Sequence, residues 1–406
     1  MGIKEILKKQ ISIVKPSLED SSRIREETEK FVKELGENIK KKKIRAEVFV
    51  GGSTAKGTVI RKKEYDVDIF VRFNEKYKEG EVSDLLASVV KGERIHGSRD
   101  YFQIRKKGLV FEIIPVIKVS KPEEARNITD LSYFHVSYIL GKIKKNPKLG
   151  EEIMLAKAFC YSQRCYGAES YIRGFSGYAL EILVSYYGSF ANFIKAVAKS
   201  NQIVIDPEKF YKDKDEIMEN LNEAKLQSPI IVVDPTFKQR NALAALSIET
   251  FERFQKVVKD FLKKPSGKFF ETYRINEKKF DFILEAESDR QEGDIAGSKL
   301  LKFYNHLVRE IGRCFVISGK DFDYDGKAKY YFKVRKMNEI ILSGPPVNKL
   351  ENLLAFKNAH RDVFIKNNKA YAREKVNVSF DKFIDNFKKD NKGKMKEMGI
   401  TGLRII

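Results

Sequence analysis

The 406-residue chain has no tryptophan, three cysteines, four histidines and ten prolines. Cys160, Cys165 and Cys314 form an odd set with neither zinc-ligand spacing nor a redox pair, which argues against a disulfide scaffold, a zinc ribbon and a dithiol oxidoreductase. Cys160 and Cys165 fall in an apolar helical stretch and are assigned to the core; a reducing, cytoplasmic setting fits them. No apolar run approaches the roughly 20 residues of a membrane helix. Residues 1–15 mix Ile, Leu and Lys in an amphipathic pattern rather than that of a signal peptide. Internal repeats and low-complexity tracts are absent. Negative charge is also in short supply: 57 Asp and Glu face 78 Lys and Arg, a formal +21. Such an excess suits a polyanionic partner, and Tyr and Phe among basic residues suit stacking on unpaired bases. A lysine-rich background would give the same excess without a partner, so composition favours nucleic acid only modestly.

A chain of this length predicts two to four domains. Residues 6–14 and 18–35 read as helices separated by Pro16, the second with an apolar stripe of Ile24, Phe31, Val32 and Leu35. A strand at 47–50, a helix at 85–90 and a strand pair at 101–119 describe a small mixed sheet backed by helices, placed in residues 1–140. From Glu151 the period turns helical, broken by a Gly-rich segment at 166–177. Residues 230–234 read as a strand, Arg240-Asn241 opens a helix to Phe261, and Pro265-Ser266-Gly267 closes a helical domain at 141–265. Residues 266–406 alternate strands (280–284, 314–317, 330–334) with a helix (300–311), as a ferredoxin- or RRM-like unit would, and end in a basic stretch at 382–396. The fold class is α+β and multidomain.

Chemistry concentrates at residues 48–58, Val-Phe-Val-Gly-Gly-Ser-Thr-Ala-Lys-Gly-Thr, and 66–70, Asp-Val-Asp-Ile-Phe. Asp66 and Asp68 share one face of an apolar strand, because strand side chains two apart point the same way. That is costly unless a cation neutralises them, and magnesium, held by one or two carboxylates plus substrate phosphates, is the natural candidate. The Gly-Gly-Ser turn offers phosphates close backbone approach, N–H groups and a hydroxyl. The bland alternative, a Gly-rich hairpin with two solvated aspartates, ranks lower because Asp66 and Asp68 sit among Val67, Ile69, Phe70 and Val71. A third acid is needed from a neighbouring strand. Glu112, the one charge in Leu-Val-Phe-Glu-Ile-Ile-Pro, is an edge residue if taken alone and a metal ligand if taken with the pair.

Gly-Ser followed by Asp-x-Asp is the signature of polymerase β-like nucleotidyltransferases. Over residues 45–265 the chain further resembles archaeal-type (class I) CCA-adding enzymes, tRNA nucleotidyltransferases. The likeness rests on Gly52 to Thr58, Asp66 to Phe70, Phe134-His135, Tyr166-Gly167-Ala168-Glu169, Ile172 to Tyr178, Tyr187-Gly188-Ser189-Phe190, and Val233-Asp234-Pro235 with Arg240-Asn241. Beyond residue 265 it thins to an order of elements. The resemblance implies a catalytic head (1–140), a helical neck (141–265) and an RRM-like body and tail (266–406) gripping tRNA. It implies addition of C, C and A from CTP and ATP without a nucleic-acid template, and it leaves room for a homodimer.

By the same resemblance Asp66, Asp68 and Glu112 hold two Mg2+ ions. Gly52, Ser53 and Lys56 meet the triphosphate, while His135, Lys157 and Tyr166 surround the nucleotide. Arg240 reads the base; Arg99, Lys382, Lys388 and Lys389 meet RNA. On residues alone, His135 is a satisfied helix histidine, Lys157 a solvated face and Arg240 a helix cap or ion pair. The chain departs from the family at Lys56 for Arg, Arg99 for His and Glu112 for Asp, and its tail is short. The rivals are another RNA 3′-nucleotidyltransferase (a poly(A) polymerase, or an enzyme adding only CC or only A) and an inactive RNA-binding scaffold.

Overall fold

The apolar run around Asp66 and Asp68 becomes a central strand of a five-stranded sheet in a computed structural model that describes residues 2–221, 226–289 and 293–406. Strands β1 (Ala46–Val50), β2 (Tyr65–Phe73), β3 (Glu93–Ile95), β4 (Tyr101–Lys106) and β5 (Leu109–Ile117) lie in the order β1-β2-β5-β4-β3. β2 and β5 run parallel, which places Glu112 directly beside Asp68; the other pairs are antiparallel. The face of both strands that helices cover is apolar: Val67, Ile69, Val71, Phe111 and Ile113 pack with Ile24, Leu35 and Ile39 of α2 (Leu18–Lys41), and Asp66, Asp68 and Glu112 point to the opposite face. Between β1 and β2, α3 (Gly52–Lys56) turns the Gly-Gly-Ser segment over the sheet's edge.

The chain divides into two compact units, Met1–Tyr273 and Arg274–Ile406. Within the first, a second core gathers α6 (Lys148–Ser162), α7 (Gly177–Tyr187), α8 (Phe190–Lys199) and a helix at Ile248–Lys263. Its centre is aromatic: Phe159, Phe175, Phe190, Phe193, Phe254 and Phe261 are fully buried, with Phe175 and Phe254 centred 4.7 Å apart. Ser176, Ser189 and Ser247 cap three of these helices by accepting from backbone N–H groups, which is why each starts where it does. The opening helix α1 (Ile3–Val14) buries Ile6, Leu7 and Val14 in this core rather than against the sheet. Phe269 stacks on Phe159 and Phe270 meets it edge-on, so the packing continues past residue 265. The expected helix at Arg240 is instead strand β8 (Phe237–Asn241), antiparallel to β7 (Ile230–Asp234), which also pairs with β6 (Ile203–Ile205). Asn241 explains the difference: its side chain accepts from the N–H groups of Val232 and Leu243, fastening the strand end.

The second unit has four antiparallel strands in the order β10-β11-β9-β15: β9 (Phe282–Ser288), β10 (Phe315–Asp325), β11 (Lys327–Lys336) and β15 (Ile400–Ile405). Helices Gly293–Ile311 and Phe380–Asp390 pack on it, giving the strand–helix–strand–strand–helix–strand order of a ferredoxin-like domain. A second sheet, β12 (Glu339–Pro346), β14 (Lys369–Lys375) and β13 (Asp362–Lys366), is inserted between β11 and the second helix. The basic stretch at 382–396 is therefore no appended tail: its first helix buries Phe380, Ile384 and Phe387, and the edge strand β15 follows it.

Candidate active site

Gly51 and Gly52 let the backbone pass hard against β2. Gly52 has φ +55°, and a Cβ there would lie 1.6 Å from Asp68 Oδ2, so any other residue would displace the carboxylate. Burial, then the field of Asp66, pushes the Asp68 carboxyl above its ordinary range, with Lys56, Lys157 and Lys62 opposing. Glu112 is pushed up to about 7 by burial and then by Asp68 and Asp66. Two carboxyls raised in this way beside Asp66 mark more negative charge than their surroundings balance, and a hard cation would relieve it. Among the described residues no three His, Cys, Asp or Glu side chains stand grouped as a ready metal cage. Asp66 turns to Lys62 (3.1 Å), and Glu112 accepts from Gln103 Nε2 (3.3 Å). The Asp66–Asp68 face nevertheless suits magnesium, which takes one or two carboxylates and fills its shell with phosphate and water oxygens.

Behind the acids lies a buried charge cluster. Glu181 of α7, fully buried, accepts from Lys56 Nζ at 2.6 Å and from Lys157 Nζ at 2.7 Å; Lys157 also donates to Thr58 Oγ1 at 2.8 Å. Burial would raise the Glu181 carboxyl, but Lys157 and Lys56 hold it below its usual range. Lys56 and Lys157 are thus held by Glu181 beneath the acids, and Lys157 is not the solvated face that its residue type suggests. Sequence reasoning missed Glu181, although it carries the same signal as Glu112, a lone acid in an apolar run. Ser53, Thr58, Lys62, Asp66, Lys157 and Tyr166 line one small pocket. Gly177 lets Tyr166 close in, since a Cβ there would sit 2.8 Å from its hydroxyl.

A second group centres on buried Asp234 at the end of β7. Arg240 Nη1 donates to Oδ2 at 2.6 Å; Tyr178 Oη and the Thr236 N–H donate to Oδ1 at 3.0 and 2.9 Å; His135 Nε2 lies 3.2 Å from Oδ2. Burial alone would raise this carboxyl, yet His135, Arg240 and the Thr236 N–H hold it well below the usual range. His135 stacks on Tyr178, ring centres 4.0 Å apart, and burial lowers its pKa against the opposing pull of Asp234. Asp234 and Tyr178, to which sequence reasoning assigns no role, are what bring His135 and Arg240 together.

Arg99 requires a correction. Its side chain is 2% exposed and is held by Asp130 (2.5 and 3.3 Å), Glu79 (3.1 Å) and the Pro115 carbonyl (3.2 Å), so it cannot meet RNA. Asp130 also accepts from the N–H groups of Ile117, Arg126 and Asn127, which makes the pair a lock on the chain leaving β5. In the second unit Lys382 and Lys389 are exposed, and Lys388 pairs with Asp385 at 2.9 Å.

Two family models match the chain: a nucleotidyltransferase domain over residues 26–134 and the second domain of tRNA nucleotidyltransferases over 151–271. The CCA-adding enzyme of Nanoarchaeum equitans is 34% identical over 332 residues, spanning 79% of this chain and 81% of that one. The chain belongs to the CCA-adding enzyme family. A family member from Methanocaldococcus jannaschii is 29% identical over 428 residues and spans 98% of this chain and 93% of its own. Among solved structures, the Cid1 poly(U) polymerase with Mg and 3′-dATP aligns at TM-score 0.52 with 12% identity, covering 66% of this chain and 98% of that one. A cytoplasmic RNA terminal U-transferase aligns at 0.51 with 14% identity, covering 67% and 100%. These two share the fold.

Proposed function

We infer that this CCA-adding family member extends the 3′ end of tRNA by C, C and A, using CTP and ATP without a nucleic-acid template and releasing pyrophosphate. The observation that carries the reading is extent. The likeness to the Methanocaldococcus jannaschii CCA-adding enzyme runs through 98% of the chain at 29% identity and that to the Nanoarchaeum equitans enzyme through 79% at 34%, whereas the uridylyltransferases share the fold over about two-thirds of it at 12–14% identity.

Divalent cations belong to this chemistry, and we assign two Mg2+ to Asp66 and Asp68 with Glu112 as third ligand. When bound, they would lower the pKa of the attacking 3′-hydroxyl and neutralise the departing pyrophosphate. The chain's own residues bind and orient. The Gly52 turn and Ser53 cradle the triphosphate, and Lys56 and Lys157, fixed by Glu181, supply positive field beneath it. Arg240 accounts for base choice. A guanidinium only donates, so it can bond to N3 of cytosine or N1 of adenine, which accept, and meets a donor on uracil or guanine. Asp234 holds that guanidinium in place. Lys382, Lys388 and Lys389 present charge to the RNA backbone. A cytoplasmic location and a homodimeric state complete the proposal; light scattering checks the latter.

The uridylyltransferase-like fold supports a second reading, a tailing enzyme adding one nucleotide repeatedly. The test is incorporation of labelled CTP and ATP into tRNA lacking its last three nucleotides, followed by sequencing of the ends. CCA termini, lost at least about 100-fold in Asp68→Asn (~2.7 kcal/mol of barrier), are expected. Homopolymer tails would establish the second reading, and undiminished activity of Asp68→Asn would remove the acids from the site.

A further inference from the structure

Lys62 has none of the roles assigned above, yet it stands at the mouth of the site. Its Nζ lies 3.1 Å from Asp66 Oδ2, and 5.3 and 5.7 Å from the ring centres of Tyr161 and Tyr166. Lys62, Asp66, Ser53, Lys157 and Tyr166 line the same pocket. Lys56 and Lys157 are committed, each to one oxygen of a fully buried carboxylate. Lys62 instead grips a carboxylate that is 53% exposed and is itself 22% exposed; an ion pair this solvated is weak and opens readily.

An ammonium and a divalent cation repel at contact distance, so the two compete for Asp66. The aromatic rings give the ammonium a second seat, because a ring face attracts a cation, and the flexible four-carbon stem allows the move. We propose that Lys62 is a mobile counter-ion of the active site: it competes with the divalent cation for Asp66 and, once displaced, swings across Tyr161 and Tyr166 to bind the triphosphate of the incoming nucleotide. One residue thereby opposes metal binding in the nucleotide-free enzyme and favours nucleotide binding in the loaded one. A mere surface ion pair would do only the first. The inference rests on the reading of Asp66 as a metal ligand.

The test uses Mn2+ as probe, with free Mn2+ measured by electron paramagnetic resonance in the absence of nucleotide, on the full chain and on Lys62→Gln, Lys62→Arg and Asp66→Asn. Thermal melts confirm that each variant is folded. Lys62→Gln should bind Mn2+ about 2- to 5-fold more tightly, the strength of an exposed ion pair. Its KM for CTP should rise about 10-fold, the size of one charge-assisted hydrogen bond, with tRNA affinity unchanged. Lys62→Arg should resemble the parent in both, and Asp66→Asn should weaken Mn2+ binding. If Asp66→Asn weakens binding while Lys62→Gln leaves it unchanged or weaker, the competition is refuted and the site reading stands. If neither variant alters Mn2+ binding, the metal role of Asp66 fails and takes the proposal with it. A loss of tRNA affinity without a change in CTP KM would overturn the assignment to the nucleotide's phosphates.

Discussion

Arg99 and Arg240 are both guanidiniums paired with a buried aspartate, and burial separates their roles. Arg99 and Asp130 are almost wholly enclosed, so removing the cation strands a buried carboxylate. Arg99→Ala should cost about 3–5 kcal/mol of stability in a denaturant titration, while the folded fraction binds tRNA as the parent does. Arg240 keeps 26% of its side chain exposed. Arg240→Ala should lose C and A incorporation far more than tRNA binding. Its C-to-U and A-to-G ratios, compared on tRNA ending at each stage, should shrink by roughly 5- to 150-fold, the cost of an unpaired buried donor. Unchanged ratios in a merely less stable protein would make Arg240 structural. Glu112 tests the acid cluster through stability. Its folded pKa, up to about 7 through burial and its acidic neighbours, exceeds the ordinary 4.5. The folded state therefore holds that proton more tightly, and stability in chelator falls as pH rises from 4.5 through about 7. Glu112→Gln should reduce the fall to the share left by Asp68, whose carboxyl is also raised, should gain ~3 kcal/mol above pH 7, and should lose incorporation. A stability profile unchanged by Glu112→Gln would show that the site tolerates its charge.

At the scale of elements, legibility followed local chemistry. β2 was plain because Val67, Ile69 and Val71 need burial whatever surrounds them, and β5 because Glu112 interrupts an otherwise unbroken apolar run. The start of β8 was misread because Ala242, Leu243, Ala244, Ala245 and Leu246 extend a helix-like pattern back to Arg240. What decides against it is the Asn241 side chain bonding to Val232, a contact nine residues away. Glu181 escaped assignment for the same reason, since Lys56, Thr58 and Lys157 come from elements distant in sequence, and so did Asp234, which joins nearby Arg240 to distant His135 and Tyr178. Helix Phe380–Asp390 was legible in charge but not in context, since only the β9–β15 pairing shows that its other face is core. Its two faces should separate on mutation. Replacing Lys382, Lys388 and Lys389 by Ala should leave folding intact and lower the salt slope of tRNA binding by about 1–3. Phe387→Ala should cost about 3–5 kcal/mol in a thermal or denaturant melt. A destabilised lysine triple mutant with an unchanged slope would remove this helix from the RNA surface.

For the whole molecule the governing quantity is charge. Residues 274–406 hold 28 Lys and Arg against 19 Asp and Glu, a formal +9, and the remaining +12 lies in residues 1–273. Both units therefore carry an excess, and no single helix accounts for it. A protein that neutralises phosphates with lysines releases condensed counter-ions, so log affinity falls linearly with log salt, by roughly 0.7 to 0.9 per phosphate. If the excess is spread along tRNA, the slope of the intact enzyme should exceed by several units what the three helix lysines can supply. Affinity for tRNA should then fall by a factor on the order of 10³ or more between ~50 and ~200 mM salt. Incorporation at saturating tRNA should change little over the same range, because the acids, Glu181 and Asp234 are buried or paired within the protein and screened weakly by salt. Filter binding and single-turnover incorporation at matched salt concentrations give the two curves. A steep affinity curve with a flat incorporation curve assigns the charge to holding RNA and the buried clusters to chemistry. A flat affinity curve would show that the +21 is a property of composition alone.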